Sequence, residues 1–325
     1  MDLEIAALTR AEGLWFDDCG LVLQAETTIF RISREFLAVQ SPIFRDMLSL
    51  PTHPDAETMD GCPFVLLPDS AEDVTVFLKA LLYYDFFEPW PAKTTYPILA
   101  GVLRMSHKYE VDALRKRALV HLSSFHPTTL SGWDELVDKK CSWFDDLIDA
   151  GYSTIPLIIL ARQLSIDWIL PVAFYRMYET TCENIVLDGR GNFELSGSDK
   201  LALVVASRLL ETTEVTQILD FLWTPFSIKG CTSVHVNECT KVRTKCRRKA
   251  EYWRRRDAET ASTMPLDLWN AADWQRLAND VCQICLSQMK TVHGEARRSL
   301  WARLPEMFEL SDWTELEKMK AEALE

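Results

Sequence analysis

The chain has 325 residues, with 35 Lys and Arg against 48 Asp and Glu, a length that fits about two domains at roughly 150 residues each. Its 48% hydrophobic and 26% charged content, with 11 Gly and 14 Pro, is that of a globular protein and excludes collagenous, mucin-like and wholly disordered chains. The formal net charge of -13 argues against nucleic acid as an expected partner, because such binding is dominated by phosphate neutralisation. A local basic patch remains compatible with it. The longest apolar runs, residues 155–161 and 201–206, fall far below the ~18 residues a bilayer demands, so no membrane is expected. The opening stretch MDLEIAALTRAEG carries acids where a secretory leader carries bases, which places the expected location inside the cell, in cytoplasm or nucleus. In a reducing compartment the nine cysteines are expected as thiols or metal ligands rather than disulfides.

The first third alternates short β-like and helical runs. Residues 21–23 and 28–32 are aliphatic and β-branched, follow a turn at 17–20, and are expected to pair as a hairpin. Two short helices are expected over 33–37 and 41–48, the second capped by Ser41 with Pro42 at its first position. Residues 51–63 read as a polar loop and 64–67 as a third strand, while Ser70 caps an amphipathic helix with Val74, Phe77, Leu78, Leu81 and Leu82 on one stripe. A longer helical region runs from Ile98 to about Phe125, breaking between Tyr109 and Asp112.

The residues over 30–37, 41–47 and 81–84, followed by Val102-Leu103-Arg104-Met105-Ser106-His107-Lys108-Tyr109 and Leu114, resemble a BTB/POZ domain. Ser33 stands where that family usually has His. Two further stretches, 170–175 and 301–308, resemble the larger BTB-containing proteins abundant in mushroom-forming fungi. The resemblance implies an α+β fold, with a BTB-like domain of short strands and helices at residues 14–130 followed by a mainly helical C-terminal region. It also implies self-association, as a homodimer, or recruitment of protein partners through an exposed apolar face. Leu14, Trp15, Phe16, Phe36, Leu37, Ile43 and Phe44 are the candidates for that face, with most of them expected in the core. Some BTB proteins are substrate adaptors for cullin-type ubiquitin ligases, often with a hydrophobic-x-Glu triplet after the second short helix. Residues 48–53 contain no such triplet.

From residue 131 the pattern is helical, in two parts, 131–230 and 231–325. Helices are expected over 155–164 and 173–180, separated at Pro171, and over 201–210 behind a Ser196-x-x-Asp199 cap. Another is expected over 214–223, and three more over 266–325 with Ser311 capping the last. No catalytic signature appears. Gly189-Arg190-Gly191 is followed by Glu194 where a dinucleotide fingerprint needs a third glycine, and the six histidines, His53, His107, His121, His126, His235 and His293, form no acid–base pattern. The chain therefore reads as an interaction protein rather than an enzyme.

Two features of the last third carry chemistry. Cys282-x-x-Cys285 can present two thiolates to one zinc ion, and Cys231 and Cys239 can complete a tetrahedral site, with His235 or His293 as substitute ligands. The same cysteines also fall on apolar stripes at helical spacing, Cys239, Val242, Cys246, Ala250 and Trp253 on one and Val281, Cys282, Cys285, Leu286 and Met289 on the other. Structural zinc and plain core packing thus both fit the pattern. The second feature is the run 241–256, where Lys241, Arg243, Lys245, Arg247, Arg248, Lys249, Arg254, Arg255 and Arg256 face the single acid Glu251. It reads as the solvated face of a helix opposite the Cys239 to Trp253 stripe, with nucleic-acid binding, a nuclear import signal, contact with an acidic protein face or a transcription-related role as the alternatives.

Overall fold

Short runs of alternating aliphatic residues build one mixed sheet near the N-terminus, and among the described residues the regular elements after it are all helices. The computed structural model describes residues 8–50, 58–138, 154–177, 194–211, 215–223, 228–233, 238–256 and 264–325. Its backbone divides into two units: Met1–His126 with Leu136–Ile166 and Met319–Glu325, and Pro127–Glu135 with Asp167–Lys318. Gly189 to Gly191, His53 and His235 lie outside the described residues.

In the first unit the strands are β1 (Thr9–Trp15), β2 (Leu21–Ala25), β3 (Thr28–Ile32), β4 (Thr58–Met59) and β5 (Cys62–Leu67), ordered β1-β3-β2-β5-β4. The β2–β3 hairpin forms as expected, antiparallel from Leu21 opposite Ile32 to Ala25 opposite Thr28. The third expected strand, β5, lies parallel to β2. Strand β1 has no counterpart in the periodicity of the sequence, for a local reason. Gly13 takes φ +71, the ladder with β3 is irregular between Arg10 and Trp15, and the buried residues Ala11 and Leu14 fall three apart instead of two.

Helices α1 (Arg34–Gln40), α2 (Pro42–Ser49) and α3 (Ala71–Leu82) start at Ser33, Ser41 and Ser70, each of whose hydroxyls accepts from the amide three residues on. Ser33, in the position where the family resemblance calls for His, is thus a helix cap. Helices α4 (Tyr96–Lys108) and α5 (Asp112–Phe125) part at Tyr109–Val111, where Glu110 adopts φ 52. Helix α3 packs on α4 and α4 on α5. Between them Val74, Phe77, Leu78, Leu99, Val102, Leu103, Leu114, Ala118 and Leu122 are buried. Each large side chain among these contributes about 1.5–3 kcal/mol on burial. Tyr109 stacks on Phe44 with ring centroids 4.4 Å apart and accepts the Ser41 hydroxyl at its carbonyl. Arg104 holds Asp73 with two 2.7 Å bonds.

Helices α6 (Leu130–Asp138) and α7 (Thr154–Gln163) follow. The chain then turns through Ser165 at φ 55 and a 3-10 turn, Asp167–Ile169, into α8 (Leu170–Met177). Pro171 does not separate two helices as the sequence suggested. It sits in the first turn of α8, where its missing N–H costs nothing. Helix α9 (Gly197–Leu209) starts at the expected Ser196 cap. The single helix expected over 214–223 is two short ones, α10 (Val215–Ile218) and α11 (Asp220–Trp223), parted at Leu219. Last come α12 (Glu238–Arg256), α13 (Ala271–Ala278), α14 (Gln283–Met307) and α15 (Trp313–Leu324). Asp312, one residue beyond the expected Ser311, caps α15, its carboxylate accepting from the Glu315 amide at 3.0 Å.

The second unit has an aromatic core in which Trp133 packs on Tyr175 and Trp301, and Phe174 on Phe308. The Tyr175 hydroxyl accepts the Leu266 amide at 2.9 Å. Asp134 is held by both terminal nitrogens of Arg297. Among the described residues no helix is long and apolar enough to cross a membrane.

Candidate metal centre

Three segments of the second unit converge on one point. The first is the turn 228–231, where the Cys231 amide bonds the Ile228 carbonyl at 3.1 Å and Gly230 takes φ +83, a conformation that favours glycine. This turn delivers Cys231. The second is the first turn of α12, which carries Cys239. The third is the start of α14, with Cys282 at the N-cap and Cys285 one turn inside.

The four Sγ atoms lie within 4.8 Å of one another. Cys231 and Cys282 sulfurs are 3.7 Å apart, too far for a disulfide, and all four cysteines are free thiols. A zinc ion with Zn–S bonds of about 2.3 Å in a tetrahedron sets its sulfurs about 3.8 Å apart, so this edge matches the geometry of a tetrathiolate site. Cys239 and Cys285 are buried while Cys231 and Cys282 are partly open to solvent. The cluster is therefore closed on the protein side and reachable from outside. The four cysteines brought together are the set singled out in the sequence.

The electrostatics divide the cluster, favouring the thiolate at Cys282 and the neutral thiol at Cys239 and Cys285. Burial opposes the charged form of Cys282, but the amides of Cys285 and Thr232, the Thr232 hydroxyl and the Cys285 thiol all stabilise its thiolate and bring the thiol down to about 6. Burial pushes Cys239 and Cys285 up. The Cys282 amide also donates to the Cys239 sulfur at 3.4 Å. Two helices, α12 and α14, direct their N-termini, the positive ends of their dipoles, to the same place.

Arg243 completes the arrangement, and reading the basic run as a solvated face missed it. It lies one turn after Cys239 on α12 and is only 4% exposed, whereas Lys241, Lys245, Arg247 and Arg248 are exposed. Burial pulls its pKa down, and its charge interacts favourably with Cys285 and Cys239. Its spacing of four from Cys239, beside Val242 and Cys246 of the apolar stripe, is the signal that could have found it.

The apolar stripes are also real in part. Val281, Leu286 and Met289 are buried, Val242 and Cys246 are half-buried, and the side chains of Ala250 and Trp253 lie outside the described residues. His293 is not a substitute ligand. It packs between Phe221 and Trp274, both 5.4 Å away ring to ring, and burial lowers its pKa to about 4.

Of the residues named for an interaction face, Leu14, Leu37 and Phe44 are in the core, and Trp15, Phe16 and Phe36 are half-buried. Ile43 is exposed. Val39 and Leu50, which sequence reasoning did not single out, are the more exposed large residues of this helix pair, at 81% and 67%. The remaining described histidines serve the fold or face solvent: His121 and His126 bond the carbonyls of Glu88 and Leu122, and His107 is exposed. Compared with known proteins, the chain matches no family model, no curated protein and no solved structure.

Proposed function

We propose that this chain is a protein–protein interaction protein whose second unit is built on a structural zinc ion held by Cys231, Cys239, Cys282 and Cys285. The observation that carries the zinc reading is the set of four thiols within 4.8 Å, drawn from a turn and two helix N-termini. All-sulfur tetrahedral sets favour zinc among common divalent ions, and four protein ligands leave no open position for chemistry at the metal. The ion's role is to hold α12 against α14. Arg243 offsets one of the two negative charges that four thiolates leave around a dication.

The interaction reading concerns the first unit, proposed as a BTB-like domain that self-associates. Its support is the order of strands and helices, together with Val39, Ile43 and Leu50 standing exposed on and beside α1 and α2. Large apolar side chains in water are the raw material of an interface.

Two measurements test the two parts separately. Elemental analysis of the full chain, purified without chelator, is expected to give one zinc per chain; iron in its place, or no metal, overturns the zinc reading. Sedimentation velocity is expected to show a dimer that the double variant Val39→Glu, Ile43→Glu converts to monomer with its zinc intact. A wild-type chain that stays monomeric at high concentration overturns self-association.

A further inference from the structure

The exposed side of α12 is the part of the second unit that the zinc reading does not use. Lys241, Lys245, Arg247 and Arg248 are exposed, and Lys241, Lys245 and Arg248 make no ion pair among the described residues. Spacings of four and three place these three residues on one face, opposite the side that carries Cys239 and Arg243. The helix continues to Arg256. Its sequence adds Lys249, Arg254, Arg255 and Arg256 against one acid, Glu251.

We infer that this face of α12 is a docking surface for duplex DNA, held through the phosphate backbone. The argument is charge density and shape. Residues 241–256 span about 22 Å at ~1.5 Å per residue, and nine of these sixteen residues are cationic, Arg243 alone of the described ones being turned inward. Duplex DNA carries one charge per about 1.7 Å of axis, so its backbone is dense enough to offer a phosphate to each of Lys241, Lys245 and Arg248. A major groove about 12 Å wide admits one α-helix. The -13 charge of the whole chain keeps the rest of the surface from joining in, so binding is confined to this helix and is strongly salt-dependent. The surface belongs to the helix itself, and its test is independent of whether zinc is found.

Fluorescence anisotropy of a labelled duplex DNA titrated with the full chain, over a series of salt concentrations, reads the inference. Binding is expected at low salt and is lost as salt rises. The triple variant Lys241→Gln, Lys245→Gln, Arg248→Gln is expected to bind more than ~10-fold more weakly, with a logarithmic salt slope shallower by about 2.7 if each cation meets one phosphate. Its zinc content and circular dichroism are expected to match wild type, which separates loss of the surface from loss of the fold. No anisotropy change at low salt overturns the inference. So does a triple variant that binds like wild type, or tighter binding to polyglutamate, to single-stranded RNA or to anionic vesicles than to the duplex.

Discussion

Helix α3 of the first unit buries Val74, Val76, Phe77, Leu78 and Ala80 along one stripe, whereas α12 of the second unit, among its described side chains, buries only Cys239 and Arg243. Both are helices of twelve or more residues, yet they are fastened by different means. The stripe on α3 removes apolar area from water, a force without direction that many side chains share. A thiol and an arginine stem offer much less of it. Helix α12 packs on the short helix α11, and on the zinc proposal it is fastened at its N-terminal end, where the thiols of three segments meet. Area-based cohesion fails gradually as side chains are trimmed, while metal-based cohesion fails at once when the ion leaves. The two units are therefore expected to break under different treatments.

The largest effect is expected from removing the proposed zinc. Structural zinc contributes on the order of 10 kcal/mol of apparent binding free energy in small modules. A strong chelator is expected to open residues 228–307 to limited proteolysis, followed by mass spectrometry, while residues 8–126 keep their protection. The same pattern with and without chelator would erase the proposed difference between the units.

The converse perturbation comes next. Phe44, 1% exposed and stacked on Tyr109, belongs to the area-based core. Phe44→Ala is expected to cost about 3–5 kcal/mol in the first unit. Denaturant titration should show that loss with the zinc content unchanged, and loss of zinc from this variant would mean that the units do not fail separately.

Smaller again is the effect of Arg243. Replacing it with Met keeps much of its volume and removes the charge beside the thiols. Zinc affinity, measured by competition with a chromogenic chelator, is expected to fall about 10- to 100-fold, the usual range for groups that support a metal's ligands. Arg243→Lys should recover part of it. Equal losses in both variants would point to packing of the guanidinium rather than to its charge.

Much of this difference could be read from the sequence, and what escaped did so for identifiable reasons. The stripes of α3, α4 and α5 and the caps at Ser41, Ser70 and Ser196 are local patterns, in which the residues that interact are three or four apart. The four cysteines were recognisable as a set because thiols are chemically distinctive, although 51 residues separate Cys231 from Cys282. Arg243 was hidden by its neighbours, one cation among nine, and only the fold distinguishes the inward one from the exposed ones. Strand β1 was hidden because Gly13 breaks the two-residue alternation that marks a strand. The break between α10 and α11 follows no glycine or proline, and Leu219 there is buried. Packing rather than local chemistry places that break.

The cap of α15 is the finest grain at which sequence and structure disagree, and it yields the smallest effect. Ser311 and Asp312 are adjacent, and both are good N-cap residues. The choice between them rests on which one places its oxygen against the amide three residues on. Asp312 does so at 3.0 Å from the Glu315 nitrogen, and its carbonyl accepts the Leu316 amide, also at 3.0 Å. Starting the helix at Asp312 puts Trp313 at the first helical position. From there its indole N–H reaches the Trp301 carbonyl at 2.6 Å and its ring stacks on that of Trp301, 5.2 Å away. A start at Ser311 would draw Asp312 into the first turn and take its carboxylate away from the Glu315 amide. Asp312→Ala is expected to cost about 1 kcal/mol in thermal unfolding, and Ser311→Ala a few tenths at most. The reverse order would place the start of α15 at Ser311 after all.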